Sequence, residues 1–179
     1  MASPQDNCII CNISSGKIPS LKVYEDDLVM AVLDVNGSNP GHCFVFPRNH
    51  YPIMEQVPDL EVARLFQVSN KISSAIFESL GVQGTNIFVA NGIPAGQTIA
   101  HATINVIPRK ENDGVNLQWK PKQLSEEEMS TVELRLKDAT KNVAVQEKEN
   151  KPMRVHQPKP TVLSDEEEDF FSRQMRRIP

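Results

Sequence analysis

Cys8 and Cys11, three residues apart, are the first residues in the chain whose types and spacing suggest chemistry. Only one other cysteine, Cys43, occurs among the 179 residues, and the four histidines are His42, His50, His101 and His156. A Cys-x-x-Cys pair in so cysteine-poor a chain suits a reducing compartment, where it binds metal, does redox work or sits reduced in a core. Cys43 lies in an apolar run and reads as a small core residue. His42, within Pro40-Gly41-His42-Cys43, reads as a structural histidine bonded around a turn, and His156 as a solvated one.

A second stretch, GQTIAHATINVIPR at residues 96–109, sets polar His101, Thr103 and Asn105 between apolar Ala100, Ala102, Ile104 and Val106. Successive strand residues point to opposite faces, so the alternation predicts a core face and a face for a site. The preceding loop, residues 91–98, contains Gly92, Pro94 and Gly96 and on its own reads as an ordinary strand connection.

Positioning these residues requires a sheet and at least one covering helix. Residues 8–15 read as a short entry segment ended by Gly16 and Pro19. Strands are expected at 21–25 and 29–34, joined as a hairpin at Asp26-Asp27, with a turn at 36–41 and a third strand at 42–47. From Asp59 to Leu80, the apolar residues Leu65, Val68, Ile72, Ile76 and Leu80 recur at spacings of three and four, predicting one long helix capped by Asp59 and stopped by Gly81. Two more strands, 85–91 and 99–107, complete an α+β pattern of five strands rather than an alternating βαβ one.

Beyond Pro108 the character changes. Ser125-Glu126-Glu127-Glu128 is a capping box, and Met129, Val132, Leu136, Ala139 and Val143 predict a C-terminal helix whose apolar seam packs on the domain or a partner. Residues 144–179 are rich in Pro, Lys, Gln and Glu and cannot form a core alone, so a flexible or partner-ordered tail is expected. Within it Ser164 precedes the acidic run 165–169, a context favoured by acid-directed kinases, and Phe170-Phe171 sits beside Arg173, Arg176 and Arg177 as a docking segment.

Net charge is −4, which gives no broad electrostatic footprint for nucleic acid. No apolar run is long enough to span a bilayer, and the first residues lack signal-peptide character; a soluble, intracellular protein is expected.

Taken together, the CxxC pair with GKIPSLKVYEDD, LDVNGSNPGHCFVFPRNHY and NGIPAGQTIAHATINVIPR resembles the histidine-triad (HIT) family, in its CxxC-containing type, over roughly residues 7–120. The resemblance implies a HIT-like α+β fold: a five-stranded antiparallel sheet with one long helix in a domain at 1–120, an extension helix at 121–143, and the tail at 144–179. It also implies a homodimer. In the CxxC type a structural zinc ion is held by two cysteines and two histidines, and the matching positions are Cys8, Cys11, His50 and His101. Two thiolates and two neutral imidazoles make a closed tetrahedral set of near-zero charge.

The family's triad has the form HxHxH, and here the same positions read His101, Thr103 and Asn105. The middle histidine of the family attacks the α-phosphate of a nucleotide. Imidazole offers an unprotonated nitrogen near neutral pH, whereas a threonine hydroxyl needs a base. No catalytic residue is therefore expected by that route. The resemblance further implies a purine nucleoside monophosphate site, with phosphate at Asn91, Gly96, Gln97 and Thr98, ribose at Asp34, and an apolar slot of Ile9, Ile10, Ile13 and Val35 for the base. Three readings follow: an inactive binding or assembly protein, an active hydrolase or transferase on nucleoside phosphoramidates or dinucleoside polyphosphates, and a structural subunit with a vestigial pocket.

Overall fold

The structure is a computed structural model and describes residue 5 and residues 7–141. The described residues fall into two units, one up to residue 119 and one from residue 120 onward. The first contains α1 (Ile9–Ser14), β1 (Lys22–Glu25), β2 (Val29–Leu33), β3 (Cys43–Pro47), α2 (Asp59–Leu80), β4 (Gly84–Val89) and β5 (Ile104–Arg109). The strands form one antiparallel sheet in the order β1-β2-β3-β5-β4.

The hairpin between β1 and β2 closes on Asp26, whose Oδ1 accepts the amides of Leu28 (2.9 Å) and Val29 (2.8 Å). This short carboxylate bridge is the Asx chemistry that turns favour. Four of the five β2 residues are buried, which an alternating half-exposed strand would not allow. The reason is that both faces of the sheet are covered. Val29, Ala31, Cys43, Val45, Ile104 and Val106 pack toward α2 through Leu65, Val68, Ile72 and Ile76. Met30, Val32 and Phe46 face the other way and pack with Cys8 and Ile10 of the α1 segment. Burying each such aliphatic or aromatic side chain stabilises the fold by roughly 2 kcal/mol.

The α2 helix spans the predicted residues and ends at Gly81, whose left-handed backbone (φ 57°, ψ 41°) is one that glycine adopts without Cβ strain. Its start differs from expectation: Pro58 occupies the capping position and Asp59 is already the first helical residue, with no side-chain cap bond. As the first helical residue, Asp59 instead places a negative charge in the first turn, where the helix dipole favours it.

The last strand also differs. It begins at Ile104 rather than residue 99. Alternation holds from Ala102 to Val106, but Ala100 is exposed and His101 is fully buried. The amide of Ala102 donates to the Tyr51 carbonyl at 2.6 Å, and that of His101 to Ile99, so the segment before the strand is bent out of the ladder. Cys43 is buried in the core, as expected.

The second unit, over its described residues, holds α3 (Glu126–Thr140), begun by a complete capping box between Ser125 and Glu128. Its Met129, Val132 and Leu136 are exposed. The expectations for Val143 and for the tail, Ser164 and Phe170-Phe171 among them, lie outside the described residues.

Candidate functional site

Cys8 stands at the N-terminus of α1 and Cys11 one turn along it, so the helix brings both thiols to one side. His50 follows the end of β3, and His101 precedes β5. The four donor atoms lie within 4.8 Å of one another, the only such His, Cys or carboxylate group among the described residues. Cys11 Sγ is 3.3 Å from His50 Nδ1 and 3.6 Å from His101 Nδ1, and Cys8 Sγ is 3.5 Å from His101 Nδ1. A tetrahedral ion with metal–sulfur bonds near 2.3 Å and metal–nitrogen bonds near 2.0 Å separates its donors by about 3.3–3.8 Å. The arrangement therefore fits a metal ion.

The support around the donors agrees. His101 Nε2 donates to the Pro47 carbonyl at 3.0 Å, which puts the ring hydrogen on Nε2 and leaves the Nδ1 lone pair aimed at the thiols. Burial, opposed by that carbonyl and aided by neighbouring His50, lowers the His101 pKa to about 4, so the ring is neutral and able to ligate at ordinary pH. Burial and the neighbouring Cys8 raise Cys11 to about 11. Without a metal the Cys11 thiol stays protonated rather than forming a reactive thiolate, which argues against redox use. Cys8 and His101 are buried, while Cys11 and His50 are half-buried.

Beside this centre lies the face on which Thr103 and Asn105 stand. Asn105 is opposite Phe44 and Phe88 in the sheet. His42 is buried and bonded at both ring nitrogens. Its Nδ1 accepts the Ser38 amide at 3.2 Å, and its Nε2 is 3.2 Å from Asn105 Oδ1. A backbone amide can only donate, so Nδ1 is the acceptor and Nε2 carries the hydrogen given to Asn105. The turn bond was legible in the sequence; the link to Asn105, across 63 residues, was not. Among the described residues the Thr103 hydroxyl has no hydrogen-bond partner.

Asp34 accepts the Asn36 amide at 2.9 Å and lies 3.6 Å from His42 Nδ1. With exposed Val35 it lines a cavity of about 330 Å³. Ile9 and Thr98 line another, of about 410 Å³, together with Cys8 and His50. Ile10 is not part of a slot: it is 1% exposed, packed with Met30, Val32 and Phe46, and has no surface left for a base. Ile13 packs against the same cluster.

The loop before His101 keeps its predicted shape by means of Gly96, whose backbone is left-handed (φ 90°). Its amide side chains are committed within the protein. Gln97 Nε2 donates to the carbonyls of Pro52 (2.6 Å) and Ile99 (2.8 Å), and its Oε1 accepts the Gly92 amide. Asn91 bonds to the Met54 amide and to Glu55. Both residues, read from the sequence as phosphate donors, thus pin the loop to residues 52–55; the amides of Gly92, Ala95, Gly96 and Gln97 are likewise bonded within the loop, and Thr98 is exposed.

Antiparallel five-stranded sheet, long helix and CxxC-linked site define a histidine-triad class of fold, and the chain belongs to that family: a HIT domain match covers residues 15–112, more than half of the chain. The chain is 42% identical over 109 residues to "Adenylylsulfatase HINT3" of Arabidopsis thaliana, a segment that is 61% of this chain and 55% of that protein. Its fold superimposes on the crystal structure of a HIT family member from Bacillus subtilis with a TM-score of 0.70 and 33% identity, over 74% of this chain and 96% of that one. A Zn-bound histidine triad family protein from Mycobacterium smegmatis matches with a TM-score of 0.60 and 28% identity, over 76% of this chain and 99% of that one. No helix among the described residues is long and apolar enough to cross a membrane.

Proposed function

We propose that this chain is a nucleotide-binding HIT protein with a structural zinc centre and no histidine nucleophile, which binds a purine nucleoside monophosphate without turning over its phosphoesters or phosphoramidates. One observation carries the reading. His42, the imidazole bonded directly to the triad strand, has both nitrogens engaged, with its hydrogen directed at Asn105. It holds no free lone pair to attack phosphorus or to take a proton from Thr103. Zinc is supported by the donor separations, by the Cys₂His₂ set, and by the zinc in the mycobacterial relative.

The test is release of AMP from adenosine 5′-phosphoramidate by the zinc-loaded chain, with calorimetric titration of AMP and GMP alongside. We expect heat from the titration, and product release no faster than in buffer without protein. Turnover above that background, whether or not Thr103→Ala abolishes it, refutes inactivity, and no heat at millimolar nucleotide refutes binding.

The chain further acts as a homodimer through the open edge of β4 and the neighbouring stripe of α2. Ser73 of α2 bonds Thr85 of β4 at 2.6 Å, which sets the two elements side by side, and Phe66, Phe77 and Ile87 stay exposed there. An unpaired strand edge beside exposed aromatics favours association. Sedimentation of wild type against Phe77→Glu tests this, and an unchanged mass rules it out. Residues 144–179 serve as a protein-docking segment; identical partners recovered by that segment and by its Phe170→Ala, Phe171→Ala form would remove the idea.

A further inference from the structure

The four donors are not equivalent, and the difference has a direction. His101 is fully buried, tied to Pro47 through Nε2, and set edge-on to Phe46 with ring centres 6.0 Å apart. Cys8 is also buried, in the cluster with Ile10 and Met30. His50 has the opposite surroundings: it is half-buried, and among the described residues its Nε2 has no hydrogen-bond partner to fix the ring. It lines two cavities, one of about 540 Å³ that it shares with Cys11, Lys17, Asp27 and Arg48, and one of about 410 Å³ that it shares with Cys8 and Thr98. Arg48 in the larger cavity is paired with Glu25 at 2.6 Å, while Lys17 is exposed and makes no ion pair among the described residues.

A histidine ligand whose second nitrogen is held by a neighbour binds metal more tightly than one that lacks such support, by about tenfold or more. We infer that His50 is the displaceable ligand of the metal centre, and that metal is delivered and withdrawn through the cavity beside it by a small anionic thiol drawn to Lys17. This rests on the zinc reading above. With an ion held there, an incoming thiol, its proton lost to water, would take the position that His50 Nδ1 gives up. The imidazole leaves neutral, and no redox change occurs. Cys8, Cys11 and His101 would hold the ion during this first substitution, which needs no opening of the sheet; release is complete only when a chelator takes the ion from those three as well.

The experiment uses the full chain loaded with one zinc, and follows transfer to a chromophoric chelator with and without reduced glutathione. Glutathione should speed release from wild type, and Lys17→Glu should lose most of that acceleration while keeping one bound zinc. His50→Ala should still bind one metal but release it about tenfold faster, whereas His101→Ala should fail to retain it. Because His101→Ala can misfold, wild type is also treated with N-ethylmaleimide while metal-bound, and mass spectrometry should find Cys11 modified before Cys8. Equal loss of metal in His50→Ala and His101→Ala, no effect of glutathione, or Cys8 reacting first each overturns the inference. Wild type that never holds stoichiometric metal overturns the zinc reading instead.

Discussion

Stripping the metal and lowering the pH should destabilise this domain through one residue. His101 has no exposed surface, and burial lowers its pKa from the ordinary 6.5 to about 4. Below 6.5 the unfolded chain takes up a proton at this position that the folded chain refuses until the pH nears 4. Stability is therefore full above 6.5 and is lost as the pH falls toward 4. Integrated over the shift, the loss is roughly 2 kcal/mol between about pH 7 and about pH 5, and about 3 kcal/mol in total. Two half-buried carboxylates, Asp113 and Asp26, do not contribute to this window. Asp113 is held well below the usual range, first by Arg109 and then by the Val115 amide; at Asp26, burial is outweighed by the amides of Val29 and Leu28 and by Arg64. Urea unfolding of chelator-treated protein across this window is the assay, and a loss of this size moves the midpoint by about 1 M. His101→Gln, equally chelated, should lack the slope even though it starts less stable. Parallel slopes for the two proteins, or a flat wild type, would refute the reasoning.

Three further perturbations follow from the packing. Gly41→Ala adds a Cβ 2.5 Å from Leu80 Cδ1 on a left-handed backbone (φ 93°), so it should cost about 2 kcal/mol in a denaturant melt. Phe46→Ala empties the cluster under α1 at a cost of about 3–5 kcal/mol, and should lower metal retention with it, read by unfolding and by metal content together. Ser125→Ala removes the Oγ that accepts the Glu128 amide, while the Glu128 carboxylate can still accept the amide of residue 125; the loss should cost α3 about 1 kcal/mol, visible as lost helical signal in far-ultraviolet circular dichroism.

How far the sequence carried depends on how local each cause is. The extent of α2 was legible because its buried residues recur every three or four positions and Gly81 supplies a left-handed stop. The start of β5 was not, because a pattern of polar and apolar letters registers His101 as surface. It is buried by α1, a segment 90 residues away along the chain. Ile10 was misread for the same reason: a lone apolar residue near a cysteine pair looks like a slot wall until Met30, Val32 and Phe46 close over it. Asp59 lost its capping role to its neighbour Pro58. The four metal donors were found through the family resemblance rather than through spacing, and their support by the Pro47 carbonyl has no sequence signal at all. Likewise, Gln97 and Asn91 have the side chains of phosphate donors, and only their partners at residues 52–55 reveal a structural use.

The contact between Cys8 and His101 joins positions 93 residues apart. During synthesis the two thiols leave the ribosome early, and no complete donor set exists until almost the whole first unit has emerged. Any ion caught by the cysteines before then is held by half a site. Contacts of such sequence separation carry their loop-closure cost up front and form late. An ion held by all four donors would thus close only around a chain whose sheet is already assembled.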